Sequence, residues 1–249
     1  VNSMSDLKVD FARHISSEFN DELEELCADL LKMGGLAERQ VRLAVECQEQ
    51  FDSSLVEQIH DAENAVNAWE IRIDELVATL IARRQPTATD LRLVLVVSKV
   101  VRDLERIGDE ANKVAQMAQQ ANESGKTSPV GLVEVRAIGD QVLRMLGDAL
   151  TSFARMDADM ALDVARHDKE VDRTYQTALR SLATHMIEDP REIGPVLNVM
   201  WVLRALERVG DHATNIAEHV IYLVKGTDIR HLSVSNVEET LKKAENLAS

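Results

Sequence analysis

The chain repeats itself. RDLERIGDEANKVAQ, starting at Arg102, and RALERVGDHATNIAE, starting at Arg204, agree at eight of fifteen positions and lie 102 residues apart. A repeat of this length means one structural unit used twice, so the fold question shrinks to one half of the chain. At 249 residues there is room for two units of about 120 residues, each able to build a core. The shared positions include Glu105 and Glu207, Gly108 and Gly210, and Asp109 and Asp211. Whatever chemistry the acids perform is therefore present in two copies.

Helical periodicity fills both halves. Apolar positions recur at three and four from Leu7 to about Gln50, with a kink expected at Gly34-Gly35. A second helix is expected from about Leu55 to Arg84, ending at Gln85-Pro86, and a third to about Asn122, capped by Thr87, Thr89 or Asp90. Asn122 to Pro129 reads as a linker. The second half repeats the plan at about Leu132–Arg155, Met160–Ile187 and Ile193–Lys225, with breaks at Asp189-Pro190 and Gly226. No alternating strand pattern competes. The expected fold is all-α: six long helices in two tandem, pseudo-symmetric three-helix bundles, with a short C-terminal tail. The expected boundaries are 1–123 and 130–227 for the bundles, 124–129 for the linker and 228–249 for a polar tail, where a short helix fits from Ser235 to Asn246.

Composition narrows the function. Lys and Arg total 28 against 43 Asp and Glu, a net charge of −15, which argues against a nucleic-acid partner and for cations or basic protein surfaces. Cys27 and Cys47 would stand about 30 Å apart on a continuous helix, too far to bridge. Two unpaired thiols, no signal peptide and no apolar run long enough for a membrane span lead us to expect a cytoplasmic protein.

Each repeat carries an unusual row. Val97, Val101, Glu105 and Asp109 are spaced by four, as are Val199, Leu203, Glu207 and Asp211, so a row that begins apolar turns into carboxylates. The second helix of each half offers Glu63 and Asn67, then Asp168 and Asp172, at the same spacing. In an antiparallel bundle these pairs can face one another. Partly buried carboxylates need a partner. Arginines at Arg102, Arg106, Arg204 and Arg208 are one choice, and a multivalent cation held between helices is the other. Such an oxygen-rich donor set suits Fe, Mn or Mg better than structural Zn. His60 and His212 lie close enough in sequence to join a shell, but a surface or capping role suits each better. Gly108 and Gly210 serve either a ligand's approach or a packing notch. Gly125-Lys126-Thr127 is no phosphate-binding loop, since Gln120 stands where that motif needs glycine. Glu57-x-x-His60 has no second copy, which disfavours a ferritin-like di-iron site.

The segments ELVATLIARRQPTATDLRLVLVVSKVVRDLERIGDEANKVA and RALERVGDHATNIAEHVIYLVKGTDIRH resemble the PhoU family, and the resemblance covers nearly the whole chain. It implies two similar three-helix bundles and a role without catalysis. Members restrain the phosphate-starvation response by coupling the high-affinity phosphate ABC transporter, through its ATPase subunit, to a phosphate-sensing histidine kinase. Such a protein would be peripheral to the membrane through its partners, and a homodimer is the expected assembly. The family's E(D)xxxD motifs bind iron clusters or other metals, Mn, Mg and Zn among the alternatives. They map here onto Glu105/Asp109, Glu207/Asp211 and Asp168/Asp172. Glu63/Asn67 departs from the pattern with a neutral amide, so the first bundle should hold metal less tightly than the second. Two rival readings remain: a carboxylate-bridged metalloenzyme, and a metal-free helical interaction protein whose acids form ion pairs.

Overall fold

The computed structural model describes residues 17–125 and 128–227. The expected onset of the first helix at Leu7, the tail with its short helix, and linker residues Lys126 and Thr127 lie outside the described residues. Six long helices carry the fold, and no strand occurs among the described residues: α1 (Ser17–Glu49), α2 (Ser53–Arg84), α3 (Ala88–Glu123), α4 (Leu132–Arg155), α5 (Ala158–Glu188) and α6 (Ile193–Lys225). A 3₁₀ turn, Pro190–Glu192, leads into α6.

Capping chemistry sets the ends. Asp52 accepts a hydrogen bond from the Ser54 amide and Asp157 accepts from the Asp159 and Met160 amides, so α2 and α5 start two residues before the first periodic apolar position. Thr87 occupies the N-cap position of α3 without a side-chain capping bond. Gly226, in the left-handed region at φ 72°, closes α6 as its amide returns to the Tyr222 carbonyl. No described helix is long and apolar enough to cross a membrane.

Helices α1, α2 and α3 pack together, as do α4, α5 and α6, and the two units join along α3–α6 and α1–α4. Their buried side chains form one continuous core, running from Leu23 and Leu30 through Val100 and Leu146 to Ile216. The α1–α4 contact depends on two reciprocal notches. A Cβ on Gly34 would stand 2.5 Å from Leu150 Cδ2, and one on Gly139 would stand 2.8 Å from Val45 Cγ2. Helix α1 thus runs unbroken through Gly34-Gly35, and the missing side chain admits a neighbouring helix. Cys27 and Cys47 are buried and unpaired, and burial pushes the Cys27 thiol up to about 12.

The α3–α6 contact is antiparallel and polar at intervals. Asn198 Nδ2 donates to the Met117 carbonyl at 3.1 Å, and Arg208 Nη1 reaches buried Glu110 at 2.9 Å. His212 Nδ1 lies 2.9 Å from Asp103 Oδ1, and Asn215 Nδ2 donates to the same oxygen at 3.2 Å. Burial opposes ionisation of Asp103, but the His212 and His219 rings and the Asn215 amide outweigh it and hold the carboxyl below its ordinary range. This antiparallel pairing brings the two acidic motifs to one level at the middle of the molecule.

Candidate functional site

The rows of four explain how carboxylates come to follow valines. Four residues overshoot one turn of a 3.6-residue helix by about 40°, so a row of four positions swings through about 120°. Val97 and Val101 are fully buried, whereas the Glu105 and Asp109 side chains are 20 and 28% exposed. The acids sit where each row leaves the core. Glu207, at the same place in its row as Glu105, remains buried at 8% exposure.

In the second half α5 and α6 bring the expected residues together. Glu207 is raised above the usual carboxylate range by burial first, then by Asp211, Asp172 and Asp168, with Arg204 opposing. Asp168 is raised by burial and by Asp172 and Asp211, while a hydrogen bond from Thr214 Oγ1 at 3.2 Å opposes the shift. Asp211 shifts the same way, through desolvation and Asp172 against the pull of Arg204, and solvent around this exposed residue moderates the effect. Asp168, Glu207 and Asp211 are thus each harder to ionise, and the Asp172 charge contributes to all three shifts. Arg204 Nη1 bonds Glu207 Oε1 at 2.7 Å. Glu207 Oε2 is buried without a hydrogen-bond partner.

The first half is arranged differently. Arg106 serves both acids of its motif, at 3.3 Å from Glu105 and 3.1 Å from Asp109. Glu105 is raised by partial burial, by Asp109 and by Glu70, with Arg106 and His212 opposing. Glu70 was missed from the sequence. It lies seven residues after Glu63, hence on the same face of α2, and that spacing was the available signal. Glu63 has His60 Nδ1 at 3.6 Å, and Asn67 is exposed. His212, for its part, is committed to Asp103 across the α3–α6 contact.

The glycines inside the motifs are packing notches. A Cβ on Gly108 would meet Gln40 Oε1 at 3.0 Å, and one on Gly210 would meet Val142 Cγ1 at 3.3 Å. Gln40, fully buried on α1, donates to the Gly108 carbonyl at 3.1 Å. Both glycines admit a neighbouring helix behind the acids.

Among the described residues no group of three or more His, Cys, Asp or Glu side chains is placed to hold a metal ion. The second half has the donor chemistry of a hard-cation site without the placement: Asp168, Asp172, Glu207 and Asp211 are all-oxygen donors, the charges of the three aspartates press on Glu207, and Glu207 Oε2 is buried with no partner. A bound cation would offset the like charge that raises Glu207, Asp168 and Asp211. In the first half Glu105 and Asp109 already share an arginine, and neither carboxylate has a buried oxygen without a partner, although Gln40 Oε1 beside Gly108 does lack one.

Comparison with known proteins gives a consistent picture. A family model described as the PhoU domain matches residues 30–118 and again 135–220, once in each half. The chain is 54% identical over 235 residues to the phosphate-specific transport system accessory protein PhoU homolog of Pseudomonas aeruginosa, covering 94% of this chain and 97% of that one. It is 42% identical over 229 residues to the accessory protein PhoU of Escherichia coli, covering 92 and 94%. The crystal structure of PhoU from Pseudomonas aeruginosa superposes with a TM-score of 0.81 at 57% identity, over 84% of this chain and all of that one. That of the phosphate transport system regulatory protein PhoU from Streptococcus pneumoniae gives 0.76 at 27%, over 84 and 98%.

Proposed function

This chain belongs to the PhoU family, and on that premise we propose that it is a non-enzymatic adaptor that restrains the phosphate-starvation response. An accessory role in phosphate transport follows from its relatives, which match it nearly end to end. Our reading adds the route. In the cytoplasm the chain, as a homodimer, engages the ATPase subunit of the phosphate ABC transporter and a phosphate-sensing histidine kinase, and so lies at the membrane only through these partners. The carboxylates of its acidic motifs bind metal ions, iron foremost, with the second half tighter than the first.

The observation that carries this reading is the placement of the acids. Asp168, Asp172, Glu207 and Asp211 gather on a partly solvent-facing groove between two long helices, where a cation or a basic protein surface can reach them. Long helices with charged outer faces offer wide docking surfaces, and a net charge of −15 steers them toward basic partners.

A strain lacking the chain tests the reading. Phosphate-starvation genes are expected to stay on in phosphate-rich medium, and re-expression should silence them in proportion to the amount of protein. Complexes with purified partners should weaken as salt is raised. Normal silencing in the deletion strain would overturn the adaptor role and return the metalloenzyme to first place.

A further inference from the structure

The groove between α5 and α6 has two ends of opposite chemistry. One end holds Asp168, Asp172, Glu207 and Asp211. Three residues beyond Asp172, at Tyr175, an apolar cavity of about 250 Å³ begins, lined further by Leu179, Leu197, Met200, Trp201 and Arg204. Arg204 belongs to both ends, since it lines the cavity and bonds Glu207. Trp201 is 63% exposed, and Ile193 and Leu197 are 42% exposed, all on one stripe of α6 at spacing four. Single exposed apolar residues are ordinary, but a tryptophan standing at the mouth of an apolar cavity is the kind of anchor that carries binding energy between proteins. At the acidic end four carboxylates lie together, Arg204 bonds Glu207 while Arg208, His212 and Lys169 act on the aspartates from farther off, and Glu207 Oε2 lacks a partner. What is missing there is a donor for that oxygen, and a cationic one also offsets the surplus of negative charge.

We propose that this groove docks a partner segment bearing a bulky apolar side chain and a lysine or arginine about 15 Å apart, the rise from Trp201 to Asp211 along α6. The apolar side chain fills the cavity beside Trp201, and the cation sits against Glu207 and Asp211. A partner helix lying along the groove spans that distance in about ten residues, an extended segment in four or five. The inference rests on the adaptor reading and gives that adaptor's partner its chemistry. Because one set of carboxylates serves both purposes, a metal ion at the acidic end competes with the partner's basic residue.

The test uses the full chain in EDTA and a fluorescein-labelled helical peptide of alanine background with leucine and lysine ten residues apart. A second peptide carries glutamate in place of the lysine. Anisotropy titration is expected to give the lysine peptide at least tenfold tighter binding than the glutamate peptide. Trp201→Ala should weaken the lysine peptide at least tenfold, and an Asp172→Asn/Asp211→Asn variant should bring the two peptides close together. Equal affinity of the peptides for the native chain, or undiminished binding by Trp201→Ala, would overturn the proposal. So would sedimentation showing a dimer that Trp201→Ala turns into monomers, since a second copy would then own the groove. Loss of peptide selectivity with gene silencing intact would sink the groove alone. Peptide binding in a protein whose deletion leaves silencing normal would sink the adaptor role alone.

Discussion

Replacing Asp168 by Asn should make the metal-free protein more stable and the metal-loaded protein less so. The substitution keeps the oxygen that accepts the Thr214 hydrogen bond and removes only charge. Folding raises the Asp168 pKa through burial and through Asp172 and Asp211, so the native state holds that proton more tightly than the unfolded chain. The resulting cost is absent below the ordinary aspartate pKa of about 3.9 and complete once pH exceeds the raised native value. A like-charged pair four apart on a helix costs about 0.2–0.5 kcal/mol. Asp168 has one such neighbour in Asp172 and faces Asp211 across the groove, which brings the expected gain to about 0.5–1 kcal/mol. For a chain of this size that is a rise of about 1–4 °C in Tm. Thermal melts in EDTA at pH 7 should show it, and melts near pH 3.5 should show most of it gone. With a divalent cation in hundredfold excess over its Kd, the wild type gains about 2.7 kcal/mol that the variant largely forgoes, so the order of stabilities reverses. A variant that melts lower than wild type in EDTA at pH 7 would mean Asp168 is held by net attraction, refuting the crowded-carboxylate argument.

Three further outcomes are expected. Gly139→Ala gains about 1 kcal/mol in helix propensity but presses a Cβ to 2.8 Å from the stiff Val45 side chain. We therefore expect net destabilisation of about 1–2 kcal/mol in urea unfolding, relieved when Val45→Ala is added, and a stabilised single variant would contradict the close α1–α4 approach. Arg208→Ala leaves buried Glu110 with Lys113 alone and should cost about 1–3 kcal/mol, with no loss speaking against the α3–α6 ion pair. Asn67→Asp should raise hard-cation affinity in the first half, measured by calorimetry on a chain whose second half carries Asp211→Ala, and unchanged affinity would remove Asn67 from the ligand set.

The helices were legible because their signals are local. Apolar spacing, Gln85-Pro86 and Gly226 mark ends that the structure keeps. Asp52 and Asp157 were harder to see, since an N-cap is settled by backbone geometry that single residues do not announce. The joining of the halves was hidden for another reason: it lies where the repeat disagrees with itself. Glu110 and His212 occupy equivalent positions, yet one takes Arg208 and the other takes Asp103, whose own equivalent is Ala205. Attention to identities passes over such sites, although a contact between two non-identical halves has to be built from them. At the candidate site the second-half acids were found because both helices repeat a spacing of four. Glu70 escaped because it stands at a spacing of seven, and Asn67 proved exposed because the row on α2 leaves the core before reaching it.

The claim that the carboxylate rows are cation sites is tested most directly by the metal content of the full chain purified without chelator. Elemental analysis after gel filtration should be run beside Glu207→Gln, which removes the charge next to the orphaned oxygen. We expect bound iron, or manganese, magnesium or zinc, in the wild type and a marked loss in the variant, with EDTA lowering the Tm of the first and hardly moving the second. Wild-type protein that carries no metal and melts identically with and without EDTA would contradict the account and leave the acids as partners of Arg106 and Arg204 alone.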